Sequence, residues 1–210
     1  MTPPHSWRLV CAATAAGFLG SCVVHPNQVV QPHARIGGIA FSDFEADISA
    51  GELREKVGTD VLNLEVGAGF TYSYPVERDA LRKLARIEML VGYTDYDVDD
   101  ATFDVDTEAI ELAIGGRFYF GGPTFQPFLA FHGVGSFFDD AGGTSVGEQF
   151  GWRGGGGIEV AITDRFFVDL TLDYTEDMFG ADTDFQVDEL RSVELGFSGW
   201  ALRFGAGLLL

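Results

Sequence analysis

The sequence predicts an all-β protein: an eight-stranded antiparallel up-and-down β-barrel that crosses a membrane with its strands, behind an N-terminal export signal. Three observations carry this. From Arg35 onward apolar residues alternate with small or polar ones in runs of about ten, the period of a strand and the length of a tilted crossing. No long uncharged apolar run follows residue 22, so no helix beyond that point is apolar enough to span a bilayer. The segments between the runs alternate between long acidic ones and short ones, as in a barrel whose two ends face different compartments.

Residues 1–22 read as the signal. Arg8 precedes the apolar run Leu9 to Leu19, and the small residues Gly20 and Ser21 stand before Cys22. The quartet Leu19-Gly20-Ser21-Cys22 resembles the lipobox of bacterial lipoproteins, which implies that Cys22 becomes the lipidated first residue of the mature chain. Val23 follows it, where inner-membrane lipoproteins often carry Asp. Cleavage by the ordinary signal peptidase is the alternative. The two cysteines are Cys11 and Cys22, so the mature chain has no pair for a disulfide and its stability must come from closing the sheet. Residues 23–34, with Pro26, Asn27, Gln28, Pro32 and no periodicity, predict a periplasmic tether, because proline cannot donate to a strand ladder.

The barrel is then expected over residues 35–210. Its first strand lies near Arg35 to Phe44. The clearest alternation follows, with Leu62, Leu64, Val66, Ala68, Phe70, Tyr72 and Tyr74 on one face and Asn63, Glu65, Gly67, Gly69, Thr71 and Ser73 on the other. A third strand sets Ile87, Met89, Val91 and Tyr93 against Arg86, Glu88, Gly92 and Thr94. A fourth sets Ile110, Leu112, Ile114, Phe118 and Phe120 against Glu111, Ala113, Gly115, Arg117 and Tyr119. A fifth lies near Pro127 to Phe138. The sixth sets Ile158, Val160 and Ile162 against Arg153 and Glu159, the seventh Phe166, Val168, Leu170, Leu172 and Tyr174 against Asp169, Thr171 and Asp173. The last lies near Gly199 to Leu210.

A soluble lipocalin-like barrel or sandwich alternates equally well but turns its apolar face inward. The membrane version is favoured because the polar face mixes glycines with both signs of charge, as a narrow lumen needs. Aromatic residues including Tyr72, Tyr93, Phe118, Phe166 and Tyr174 also sit toward strand ends on the apolar face, as girdles do. The segments Glu45–Asp60, Asp97–Asp106, Asp139–Gln149 and Thr175–Leu190 are expected to be exterior loops. Those at Gly121–Gln126 and Thr163–Arg165 are short periplasmic turns, with a longer one at Pro75–Lys83. The four exterior segments carry net charges of −3, −5, −3 and −6, nearly all of the chain's −19. Such an exterior excludes nucleic acid as a partner and would be repelled by anionic lipopolysaccharide unless divalent cations bridge the two.

The closing residues Arg203-Phe204-Gly205-Ala206-Gly207-Leu208-Leu209-Leu210 resemble the C-terminal signal read by the barrel-assembly machinery, with Leu210 where that signal usually has Phe. With the strand pattern, they make residues 35–210 similar to the OmpA/OmpX/OmpW group of small outer-membrane barrels. The resemblance implies a bacterial outer-membrane location, contact with outer-membrane lipid, a monomer and no cofactor. Fold is implied far more strongly than function.

Four constellations could carry chemistry. Asp95, Asp97, Asp99 and Asp100 offer oxygen ligands in the run Asp95-Tyr96-Asp97-Val98-Asp99-Asp100, a candidate weak cation site. It lacks the Gly and Glu of an EF-hand, whose sixth and twelfth places hold Asp100 and Asp106, so a solvated acidic loop is the better reading. Gly154 to Gly157 precede a strand, not a helix, which points to close packing of the wall and away from a phosphate loop. His132 and Ser136 stand on one face of a strand about 13 Å apart, too far for a nucleophile and its base. The His-x-Ser spacing of the lipid A deacylases in the resembling group is absent, since Gly133 and Val134 follow His132, so no enzyme is expected. Finally, parity turns Arg86, Arg117, Arg153 and Arg203 inward with Glu65, Glu88, Glu111, Glu159, Asp169 and Asp173, in a lumen about 10 Å across that side chains of an eight-stranded barrel nearly fill. The expected function is a structural or surface-interaction barrel with a filled lumen. A narrow ion or small-solute pore is the alternative and a lipid-modifying enzyme the third reading.

Overall fold

The structure is a computed structural model, and it describes residues 29–50, 53–77, 80–99, 104–138, 148–179, 181–183 and 193–210. Eight long strands close into an antiparallel barrel: β1 Val29–Ala50, β2 Leu53–Glu77, β3 Ala80–Asp99, β4 Asp104–Tyr119, β5 Phe125–Phe138, β6 Glu148–Ala161, β7 Phe166–Phe179 and β9 Val193–Leu209. Each pairs with its neighbours in sequence order, and pairing of β1 with β9, from His33↔Leu209 to Ala50↔Val193, leaves the wall without an edge. The three-residue strand β8, Ala181–Thr183, continues along β9 beyond the part covered by β7.

The predicted faces hold along the wall. Leu62, Val66, Ile87, Met89, Ile114, Phe118, Leu129, Leu170 and Phe204 are 40 to 66% exposed on the outside. The polar partners between them are buried inside. A continuous apolar exterior around a polar interior is stable only in lipid. The short turns lie at one end. At Gly121, whose φ of 93° suits glycine, the chain reverses under a hydrogen bond from Phe120 N to Pro127 O of 2.7 Å. At the next turn the Thr163 hydroxyl accepts from Phe166 N at 2.9 Å.

Three expectations are corrected. The tether expected over residues 23–34 does not hold for 29–34, since β1 begins at Val29 and Pro32 and His33 are already paired with Phe70 and Gly69; residues 23–28 lie outside the described residues. Pro32 is tolerated because it stands just before the first β1–β9 pair, His33↔Leu209, where its carbonyl accepts from Leu210 N at 2.9 Å and its missing N–H costs no ladder bond, and the strand's alternation runs through it to put His33 in the lumen. Three of the exterior "loops" are in large part strand, and residues 139–147 of the fourth lie outside the described residues. β1 and β2 stay paired up to Ala50↔Leu53, β3 and β4 up to Asp99↔Asp104, and β7 runs through Thr175 to Phe179. Beyond the lipid the outward face meets water, so the apolar-out alternation that marks a crossing strand disappears although the ladder continues. The turn at Pro75–Lys83 is tighter than expected, with pairing kept up to Glu77↔Ala80.

Candidate functional site

The candidate site is the lumen, and all ten residues predicted for it are buried there. Two further cations join them. Arg35 lies on β1, which starts earlier than expected, so it is a mid-lumen residue. Lys83 escaped the parity argument because the pairing of β2 with β3 steps from Tyr72↔Ala85 to Ser73↔Lys83, leaving Leu84 as a bulge that returns Lys83 to the inside. The buried lumen charges among the described residues are therefore six carboxylates, Glu65, Glu88, Glu111, Glu159, Asp169 and Asp173, and six cations, Arg35, Lys83, Arg86, Arg117, Arg153 and Arg203. They balance.

The charges form bridges across the barrel. From the outer end, Arg153 reaches Glu111 at 2.7 Å and Glu65 at 3.4 Å. Glu65 also takes Arg35 at 2.6 Å and lies 3.6 Å from Arg203, whose Nε contacts Asp173 at 3.1 Å. Arg35 and Arg117 both meet Asp169 Oδ1 at 3.1 Å, and Arg117 continues to Glu88 at 2.7 Å. Glu88 stands between two histidines: His132 Nε2 lies 3.1 Å from Oε1, and His33 Nε2 lies 3.6 Å from Oε2. At the periplasmic end Glu159 takes Arg86 at 2.9 Å, the Tyr119 hydroxyl at 2.9 Å and the Lys83 ammonium. Arginine suits this arrangement because its fork serves two carboxylates at once. Every one of the eight barrel strands supplies a charged or imidazole side chain to the network.

Aromatic rings and glycines fill the rest. Arg86 lies 4.3 Å from the Phe167 ring centroid and Arg117 4.6 Å from that of Phe128. Gly205 leaves room for the Arg35–Asp169 bridge: a Cβ there would come within 2.7 Å of Asp169 Oδ2. The predicted wall-packing role of Gly154 to Gly157 fits Gly157, where a Cβ would lie 2.7 Å from Phe128 Cζ. A cavity of about 20 Å³ lies among Arg35, Glu65, Arg117, His132, Arg153, Asp173 and Arg203, room for a water molecule or two.

The other candidates are not assembled in this way. Asp95 and Asp97 alternate with buried Thr94 and Tyr96 along β3, about 7 Å from one another along the strand, where a hard cation needs ligands converging within 2.6 Å, and the side chain of Asp99 lies outside the described residues. The run is a strand, not a loop, and no metal-holding cluster occurs among the described residues. Asp100 lies outside the described residues, as does Cys22. His132 points into the lumen, and Ser136 follows on the same face.

The chain matches the outer membrane protein β-barrel domain over residues 11–206. No curated protein matches it. Among solved structures it is similar to the outer membrane protein OprG of Pseudomonas aeruginosa, at 16% identity and a TM-score of 0.53, over 86% of this chain and 96% of that one. It is also similar to the outer membrane protein AlkL, solved in lipid bilayers, at 9% identity and a TM-score of 0.55, over 90% of this chain and 94% of that one. At such identities the likeness speaks to fold alone, and that fold is the closed membrane barrel derived above. With strands faced for lipid and a domain match spanning nearly its whole length, the chain belongs to the outer membrane protein β-barrel family and resides in the bacterial outer membrane.

Proposed function

We propose that the protein is a structural or surface-interaction barrel with a sealed lumen, neither a pore nor an enzyme. The observation that carries this reading is the charge-balanced network of six carboxylates and six cations that crosses the interior from seven strands, with His132 joining it from β5. Each pair is held across the path a solute would take, and a buried charge left unpaired costs several kcal/mol, so the bridges resist opening. Planar-bilayer recordings on the purified protein should show no stable open conductance; steady channels from the unmodified barrel would replace this reading with the pore.

Against an enzyme stands the lumen chemistry. His132 is engaged by Glu88, and Ser136 is too far along the strand to be its nucleophile. Phospholipase and esterase assays should give no turnover above that of a His132→Ala control. Two further features belong to the same proposal. Cys22 carries a diacylglycerol anchor, which intact-mass spectrometry of membrane-extracted protein should detect and Cys22→Ser should abolish; an unmodified chain starting after residue 22 counts against it. The β9 end is the segment handed to the barrel-assembly machinery, so Leu208→Asp should block insertion while leaving export intact.

A further inference from the structure

Above the ion network the barrel reverses its polarity. In the lipid band apolar side chains point out and charges point in. Toward the outer end the inward positions become mainly apolar: Phe44 on β1, Tyr96 on β3, Ala109 on β4, and Phe197 and Ala201 on β9 are buried together, with Ile39, Val61 and Phe138 packed against them and Thr59 and Gln149 as buried polar neighbours. Tyr96 stacks on Phe197 at 4.2 Å between centroids, and Phe138 lies 5.8 Å from Phe197. On the outer face the change is the opposite one. Two residues beyond the last apolar side chain stands an acid: Asp43 after Phe41, Asp95 after Tyr93, Glu108 before Ile110, Glu148 before Phe150 and Glu176 after Tyr174. Apolar inside and acidic outside is the pattern of a barrel standing in water. The outer lipid boundary therefore falls between these pairs, and the wall continues above it around an aromatic core.

We propose that this aromatic cluster is a stopper closing the outer mouth of the lumen, a hydrophobic seal independent of the ion pairs beneath it. The proposal rests on the sealed-lumen reading and adds a second closure to it. Packed rings drawn from β3, β5 and β9 meet inside the wall where the arginine bridges end, and a constriction lined mainly by rings opposes water and ions because it gives them few hydrogen-bonding partners. The hydroxyl of Tyr96 points down to Glu111 Oε1 at 2.8 Å, joining the stopper to the uppermost carboxylate of the network. Below it Ser136 is buried on the lumen face of β5, two residues from Phe138.

The test uses the mature chain carrying Cys22→Ser and Ser136→Cys, purified in detergent, with a small charged methanethiosulfonate as probe. Glu148→Cys, on the exposed rim, reports full accessibility, and heat-modifiable migration on gels reports folding. With the stopper intact, Cys at 136 should react at least tenfold more slowly than Cys at 148. Phe197→Ala, and the milder Phe138→Ala should Phe197→Ala not fold, should raise the rate at 136 about tenfold. Tyr96→Phe keeps the stack and should leave the rate unchanged. Equal rates at 136 with and without the ring overturn the stopper, whether both are slow or both fast. Steady bilayer currents from the unmodified barrel overturn the sealed-lumen reading instead, so the two failures are told apart.

Discussion

Glu65 meets guanidinium groups from three strands, Arg35 of β1, Arg153 of β6 and Arg203 of β9, so one carboxylate offsets positive charge gathered from across the lumen. Glu65→Gln keeps the shape and removes the charge. It should lower stability by about 3 kcal/mol in urea titrations of the folded barrel, because three buried arginines each lose one of their two carboxylate partners. Arg117→Ala, which strips both Asp169 and Glu88 of a partner, should cost about 3 kcal/mol on the same grounds. Lys83→Ala should cost less than either, since Glu159 keeps Arg86 and the Tyr119 hydroxyl. An equal loss for Lys83→Ala would refute this ranking. Gly205→Ala inserts a methyl against the Arg35–Asp169 bridge and should destabilise by about 1–3 kcal/mol, although alanine suits a strand better than glycine. At this scale each lumen residue was readable from its parity, apart from those where the strand start or a bulge intervened.

The strands differ in how much of their length carries a legible signal. Within the lipid band each outward position must be apolar and each inward one small or polar, so the period of two appears in the sequence. Above the band the outward face is solvated and the inward face aromatic, and segments such as Thr175 to Phe179 read as loop although they are strand. Bulges are the second blind spot. Ala40, between the pairs Ile39↔Arg203 and Phe41↔Leu202, and Leu84 each add one residue and shift the parity beyond them. Deleting Leu84 should be tolerated, because it removes the unpaired residue and leaves both Lys83 and Arg86 facing inward. Deleting Ile87 should abolish assembly, because it drives the lumen set of one flank toward lipid. Heat-modifiable migration on gels separates the two outcomes, and a folded Ile87 deletion would show that register is less constrained than the network implies.

For the whole molecule the charge distribution matters more than its sum. The lumen charges balance and residues 1–22 carry only Arg8, so residues 23–210 hold a net −20 outside the lumen, much of it at the outer rim where Asp95 faces Glu108 directly across strands. Divalent cations bridging this rim to lipopolysaccharide phosphate are the expected partners. Chelation should lower the thermal midpoint in lipopolysaccharide-containing membranes and leave it unchanged in neutral detergent; no change in either medium removes the idea.

The chain's own alternation was enough to specify a membrane barrel, its strand count, the facing of its lipid band and the ten charges first placed inside, because a residue's facing depends on its immediate strand alone. Which charges meet was not. Arg35 and Asp169 are 134 residues apart and Arg203 and Asn63 are 140 apart, and their contacts exist because closure and stagger of the wall bring distant strands to one height. The aromatic stopper has the same origin: Phe44, Tyr96, Phe138 and Phe197 carry no common motif, and the wall gathers them where it leaves the lipid and its two faces exchange polarity.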